Sequence, residues 1–157
     1  MTGSGPEPAV PLARLMAMAF RDLIDGLHAR LAEQGWDEIR PAYGFVLLAA
    51  REGPVTGTDV ATLLGMTKQA ASKLADSMVA AGLVERRPDP GDARSKRIEL
   101  TRRGRDFLAT VEQIYAELEA GWAAAIGRDG VDRLRTDLLC VLRGGHDGSL
   151  PAIRPTW

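Results

Sequence analysis

The sequence predicts a mainly α-helical fold with one small β-hairpin, and three observations carry that prediction. Apolar residues recur at spacings of three and four over long stretches toward both ends, the period of a buried helical stripe. Only 5% of residues are aromatic while Ala, Leu and Arg are frequent, a composition that favours helix. Past the middle, residues 83–87 and 97–100 combine apolar or β-branched residues with alternating charge. Between them, Pro88-Asp89-Pro90-Gly91-Asp92 is a cluster of turn formers, so the two runs read as the strands of a hairpin. At 157 residues, 45% hydrophobic and 26% charged, the chain has the length and composition of one globular domain with appended helices.

The elements follow in order. Residues 1–8 are Gly, Ser, Pro and Glu with few apolar groups, and are expected to be a disordered lead-in. Val10, Leu12, Leu15, Met16, Ala19, Phe20, Leu23, Ile24, Leu27 and Leu31 then trace one amphipathic helix over about residues 9–34, ending at Gln34-Gly35. Arg40-Pro41 opens a second helix with Pro in its first turn, which carries Phe45, Val46, Leu48 and Ala49 and stops by Gly53-Pro54. Thr56, with Asp59 three residues on, is an N-cap for a short helix Gly57–Leu64. Gly65-Met66 turns the chain, Thr67 caps the next helix over residues 67–81, and Gly82 stops it. Two short helices joined by a tight turn containing Gly make a helix-turn-helix pattern.

After the hairpin, Thr101 can cap a long helix through Phe107, Leu108, Val111, Ile114, Tyr115, Leu118, Trp122, Ala125 and Ile126. At about 1.5 Å per residue it would reach on the order of 40 Å, longer than a small lobe needs for its own core. Val131, Leu134, Leu138, Leu139, Val141 and Leu142 mark a last helix, and residues 146–157 read as an irregular tail. The expected order is α-α-α-α-β-β-α-α. Large apolar residues on helices too long for one core call for a second copy of the chain, and two-fold pairing is the commonest solution. The alternative is that they fold back within one chain.

Charge is distributed unevenly. Between Thr67 and Arg105 lie ten basic and five acidic residues, a net of +5, so the remainder carries −6 to give the total of −1. A basic patch on an acidic body steers an anionic polymer to one face. The lone Cys140 excludes an intramolecular disulfide and fits a reducing cytoplasm, and its apolar neighbours suggest a buried, inert thiol. The N-terminus does not read as a signal peptide, and no apolar run approaches the roughly 18 residues of a membrane span, so the expectation is a cytoplasmic protein without a membrane partner.

On a helical wheel at about 100° per residue, Lys68, Ser72, Asp76, Gln69 and Lys73 fall within about 140° of one another, while Ala70, Ala71, Leu74 and Met78 take the opposite side. One face packs and the other is free to enter a groove. Gln69 can bond adenine N6/N7 and Lys73 can reach guanine or phosphate, while Thr67 and Lys68 sit where free N–H groups favour phosphate. The plainer alternative is a surface helix with a wet face. Arg94, Ser95, Lys96 and Arg97 sit at or just after the hairpin tip, with Arg86 and Arg87 on the outgoing strand, spaced to follow a backbone or enter a minor groove. Here the alternative is an edge guarded from aggregation by charge. Asp92 beside Arg94 looks unhelpful for holding an anion unless it fixes the tip and the Arg side chain in one pose. A polar-faced helix followed by a basic hairpin is the arrangement with which a winged helix-turn-helix holds a duplex.

Leu83-Val84-Glu85-Arg86-Arg87, then Asp89-Pro90-Gly91-Asp92-Ala93-Arg94-Ser95-Lys96, then Leu100-Thr101-Arg102-Arg103-Gly104 resembles the signature of the MarR family of transcriptional regulators: GLVxR, an acidic-x-Arg wing, and L-T-x-x-G. The close match covers about residues 56–108. The resemblance implies one MarR-type domain over residues 9–145, with a winged-helix lobe at about 37–104 and dimerisation helices at about 9–34 and 101–143. It implies an obligate homodimer on a pseudo-palindromic, inverted-repeat operator. Arg94 would lie in the minor groove, oriented by Asp92, with the helix from Thr67 in the major groove. It also implies a repressor released by a small aromatic or phenolic effector bound between the dimer helices and the DNA-binding lobe. His28, Trp36, Arg40, Tyr43 and Trp122 are the candidate lining of that pocket, unless they are simple packing residues.

No metal site or cofactor is expected, since His28, His146 and Cys140 lack metal-ligand spacing. No phosphate loop, zinc-hydrolase helix or nucleophile elbow is present, so no enzymatic activity is expected either. The alternative function is a dimeric winged-helix module that binds proteins or small ligands without DNA.

Overall fold

The computed structural model describes residues 9–37 and 39–153, so the lead-in at residues 1–8 and the last four residues of the tail lie outside the described residues. The chain runs α1 (Leu12–Glu33), α2 (Pro41–Glu52), β1 (Val55–Thr56), α3 (Gly57–Leu64), α4 (Lys68–Ala80), β2 (Val84–Asp89), β3 (Asp92–Leu100), α5 (Arg102–Ile126) and α6 (Arg128–Gly144). The helices stand where the apolar periodicity placed them. The sheet has one strand more than expected. β1 pairs antiparallel with β3, Val55 opposite Ile98, giving the order β1-β3-β2. Two residues are too few to show a period, so β1 is defined by its partner alone.

The hairpin also differs from expectation. Its turn is only Pro90-Gly91, because Asp89 already pairs with Asp92, and β3 begins five residues before the expected Arg97. Pro88 pairs with Lys96, so Ala93, Arg94 and Ser95 have no counterpart on β2 and form a bulge.

Local chemistry accounts for the helix boundaries. Thr56 and Asp59 form a reciprocal capping box: the Asp59 N–H donates to Thr56 Oγ1 at 3.2 Å and the Thr56 N–H to Asp59 Oδ2 at 2.7 Å. A Thr56→Ala variant should lose about 1 kcal/mol of stability, read as a lower midpoint in denaturant unfolding with an unchanged m-value. Thr67 Oγ1 accepts from the Ala70 N–H at 3.1 Å. Gly82 closes α4 with φ 72°, which lets the Leu83 N–H turn back onto the Met78 carbonyl at 3.0 Å. Thr101 Oγ1 donates to the Gly82 carbonyl and accepts from the Gly104 N–H, tying the start of α5 to the end of α4.

One core unites the second half of α1, helices α2 to α4, the sheet and the first half of α5; Leu31, Leu47, Leu64, Met78, Leu83, Ile98, Phe107 and Ile114 are fully buried in it. The first half of α1 and most of α6 lie outside. Leu12, Leu15, Met16, Met18 and Phe20 are exposed on α1, as are Leu134 and Val141 on α6. Cys140 is exposed as well, contrary to the buried thiol expected. Val131, Leu138 and Leu142 form the inward stripe of α6, and Cys140 lies about 200° around the helix from Leu138. Among the described residues no helix or strand follows α6, but Ile153 donates its N–H to the Leu63 carbonyl on α3 at 3.0 Å.

Candidate nucleic-acid interface

α4 presents the two faces expected of it, with one exception. Ala71, Leu74, Ala75 and Met78 are buried, and Thr67, Lys68, Gln69, Ser72, Lys73 and Asp76 are exposed. Ala70, assigned to the packing side, is exposed because it lies about 80° from the centre of the buried stripe.

Strand alternation separates the wing cations into three groups. Val84 points into the core, so Arg86 on the same face of β2 points toward α4. There it pairs with the Asp76 carboxylate and donates to the Ser72 carbonyl at 3.1 Å. The opposite face carries Glu85, Arg87 and Asp89, with Arg97 and Glu99 beside them on β3. Arg87 donates to Glu85 Oε1 at 2.7 and 3.0 Å and lies 3.4 Å from Glu99; Arg97 lies 3.2 Å from Asp89. The hydrogen bond and charge of Glu85, with the charge of Glu99, hold the Arg87 guanidinium above its ordinary pKa. That face largely neutralises itself. Arg86, Arg87 and Arg97 all have intramolecular carboxylate partners, which charge counting could not reveal.

The third group is the bulge and its exit. Ala93 and Arg94 are exposed there, Ser95 is half-buried, and Lys96 follows, also exposed. Among the described residues the charged ends of Lys68, Lys73, Arg94 and Lys96 have no ion-pair or hydrogen-bond partner. Asp92 acts on Arg94 through the main chain: its Oδ1 accepts the Arg94 N–H at 2.9 Å. Asp89 Oδ1 likewise accepts the Gly91 N–H at 3.0 Å. Both are turns closed by a carboxylate two residues back, so the acidic residues shape the wing and leave the Arg94 guanidinium free.

Two basic residues of the +5 segment serve the lobe instead. Arg103 donates to the Ala81 carbonyl at 3.1 Å and lies over Trp36, 4.6 Å from the ring centroid. Arg105 donates to the Leu100 carbonyl at 3.0 Å.

A cleft of about 1020 Å³ lies between α1, the start of α2 and α4, lined by residues including Ile24, His28, Arg40, Met66, Lys73 and Leu74. A smaller niche of about 40 Å³ adjoins it, walled by Leu31, Phe45, Phe107 and Tyr115 among others. His28 and Arg40 line both. His28 Nε2 is buried with no hydrogen-bond partner among the described residues, and burial raises the Tyr115 phenol above its ordinary pKa. The other three candidate pocket residues line neither cavity. Trp36 packs edge-on against Phe107 with ring centroids 5.0 Å apart, Tyr43 is a core residue, and Trp122 is half-buried on α5.

The MarR family model matches residues 40–95, from the start of α2 through the bulge of β3. Among solved structures, apo wild-type MarR from E. coli is 26% identical, with a TM-score of 0.70 over 87% of this chain and 99% of that one. The transcriptional repressor CouR bound to a 23-mer DNA duplex is 27% identical, with a TM-score of 0.71 over 83% of this chain and 92% of that one. A point mutant of E. coli MarR complexed with operator DNA is 27% identical, with a TM-score of 0.69 over 85% and 94%. Among curated proteins none matches the chain. The helix-turn-helix, the wing and the flanking long helices thus coincide with one known architecture, the winged helix-turn-helix fold of MarR-family transcriptional regulators, and residues 40–95 match the model of that family.

Proposed function

We propose that the protein is a homodimeric repressor that holds an inverted-repeat operator and releases it when a small aromatic or phenolic molecule binds. The observation that carries this reading is the set of four cations, Lys68, Lys73, Arg94 and Lys96, on α4 and on the wing beside it, that have no ion-pair or hydrogen-bond partner among the described residues. Unpaired cations on exposed elements are what a phosphate backbone needs, and Gln69 among them supplies a base-reading amide. CouR bound to a duplex and E. coli MarR on operator DNA support the same assignment by likeness.

Pairing of two chains through α1, the outer part of α5 and α6 accounts for the exposed Leu12, Leu15, Met16 and Phe20, and for Leu134 and Val141. The winged-helix lobe, about residues 37–104, then appears twice, once per half-site. For the effector, the cleft between α1 and α4 touches both the long helices and Lys73 of the recognition helix, and His28 offers it an unused polar atom. A ligand there gains most in whichever lobe position suits it, which is how it would shift DNA affinity. The protein would work in the cytoplasm, in keeping with its DNA partner; among the described residues no helix is long and apolar enough to cross a membrane.

Mobility shifts on the intergenic DNA flanking its gene test the proposal. A salt-sensitive shift of an inverted-repeat fragment by a dimer is expected. No shift at low salt would reject DNA binding, and effector binding by such a protein would make it a ligand-binding module instead.

A further inference from the structure

The geometry points to Arg86 and Asp76 as a positioning pair for DNA binding: together they set the angle between the wing and the recognition helix, and neither touches DNA. This rests on the DNA-binding reading above.

Three observations lead there. Asp76 stands on the free face of α4 with Gln69, Ser72 and Lys73, where a bare carboxylate would repel phosphates. Arg86 covers it from β2. One of its terminal nitrogens pairs with Asp76 while the other donates to the Ser72 carbonyl, one turn earlier on the same helix. The guanidinium therefore bridges two turns of α4, and both terminal nitrogens are committed. The third observation is mechanical. The hairpin is anchored at its base by buried Val84 and Ile98, and from Arg86 outward β2 runs exposed or half-buried to the turn. Arg86 is the last inward-facing link to α4 before the bulge that carries Arg94.

With side chains 30% and 60% exposed, such a pair contributes little to global stability. Its effect would lie in ordering. A wing free to swing must be fixed when Arg94 and α4 engage the same duplex, and a bridge formed beforehand removes part of that cost. By sequence alone Arg86 counts among the DNA contacts; the bridge to α4 assigns it a positioning role instead.

The two roles give opposite signs in one experiment, a salt titration of operator binding by the full-length protein. Arg86→Gln should weaken binding about tenfold while leaving the slope of log K against log salt unchanged, because no phosphate contact is lost. Asp76→Asn should also weaken binding, although it removes a negative charge from the DNA face. The double variant should be no weaker than the worse single variant, the mark of two residues acting as one unit. A slope reduced by about 1 for each wing in Arg86→Gln, or tighter binding by Asp76→Asn, would overturn the assignment.

Amide exchange in the free protein gives a readout without DNA. Arg86→Gln should speed exchange along β2 and β3 beyond residue 86 and leave α2 and α5 unaffected. Unchanged wing exchange would sink the pair's mechanical role. The Arg94→Ala variant, outside the pair, reports on the DNA-binding reading itself, so the two can fail separately.

Discussion

Replacing Gly104 by alanine should destabilise the protein by on the order of 3 kcal/mol or more, enough to lower its thermal midpoint by many degrees. Propensity alone predicts the reverse, since Ala is about 1 kcal/mol better than Gly inside a helix. The decisive fact is a contact. A Cβ on Gly104 would lie 1.9 Å from the Leu83 carbonyl oxygen and 3.0 Å from its carbon. Both are backbone atoms of a fully buried residue. Neither can rotate aside as a side-chain end would, and the Thr101 N–H holds the same carbonyl at 3.2 Å. The first turn of α5 would have to move off the sheet, breaking the link from Thr101 to the Gly82 carbonyl. Gly57→Ala is the contrast, because nothing lies within 4 Å of its Cβ position. That variant should keep or gain up to about 1 kcal/mol. Equal melting of Gly104→Ala and wild type would show that α5 does not approach Leu83 so closely.

Gly104 also marks where sequence reading succeeds and where it stops. The L-T-x-x-G run was visible, and so was the cap at Thr101, because a hydroxyl accepting an N–H three residues on is local chemistry. The caps at Thr56 and Thr67 and the stop at Gly82 were legible for the same reason. Whatever depends on a distant partner was not. β1 exists because β3 lies beside it. The bulge at residues 93–95 follows from the choice of Pro90-Gly91 as the turn, and the Pro and Gly between residues 88 and 92 permit several turns. The wing cations read as one basic group because charge counting ignores faces. Alternation from the apolar Val84 would have set Arg86 apart from Arg87, but only with the start of the strand known. Trp36 and Tyr43 read as pocket lining because they combine an apolar body with a polar tip. Their actual neighbours, Phe107 and Arg103 around Trp36 and the core around Tyr43, come from opposite ends of the chain. The exposure of Cys140 belongs here too, since an apolar run of five wraps more than a full turn and cannot all face inward.

Replacing Arg94 by alanine should cost operator affinity more than any other single substitution on the proposed interface, and should do so for every sequence tested. Its guanidinium is the free cation at the head of the bulge, and the Asp92 carboxylate has already closed the backbone beneath it. A pre-shaped tip loses little on binding, so nearly all of its attraction counts toward affinity. One such contact is worth about 1–3 kcal/mol. In the proposed dimer the wing occurs twice, so the loss doubles to about 2–6 kcal/mol, which amounts to about thirtyfold at the least. The salt slope should fall by about 1 for each wing. Gln69→Ala offers the comparison that separates grip from reading. Gln69 is exposed near the start of α4 and carries no charge, so its loss should leave the salt slope unchanged and relax the preference at one A·T pair per half-site. Binding measured on the operator, on a point-changed operator and on unrelated DNA distinguishes the two. If Arg94→Ala lowered affinity only for the operator, Arg94 would be reading bases and the division between wing and helix would be wrong. If it lowered affinity for none of the three, the bulge would not lie against DNA. A parallel loss on all three, set beside a Gln69→Ala loss confined to the operator, is what two free elements on one basic face require: the wing supplies attraction that any duplex satisfies, and the helix decides which duplex keeps it.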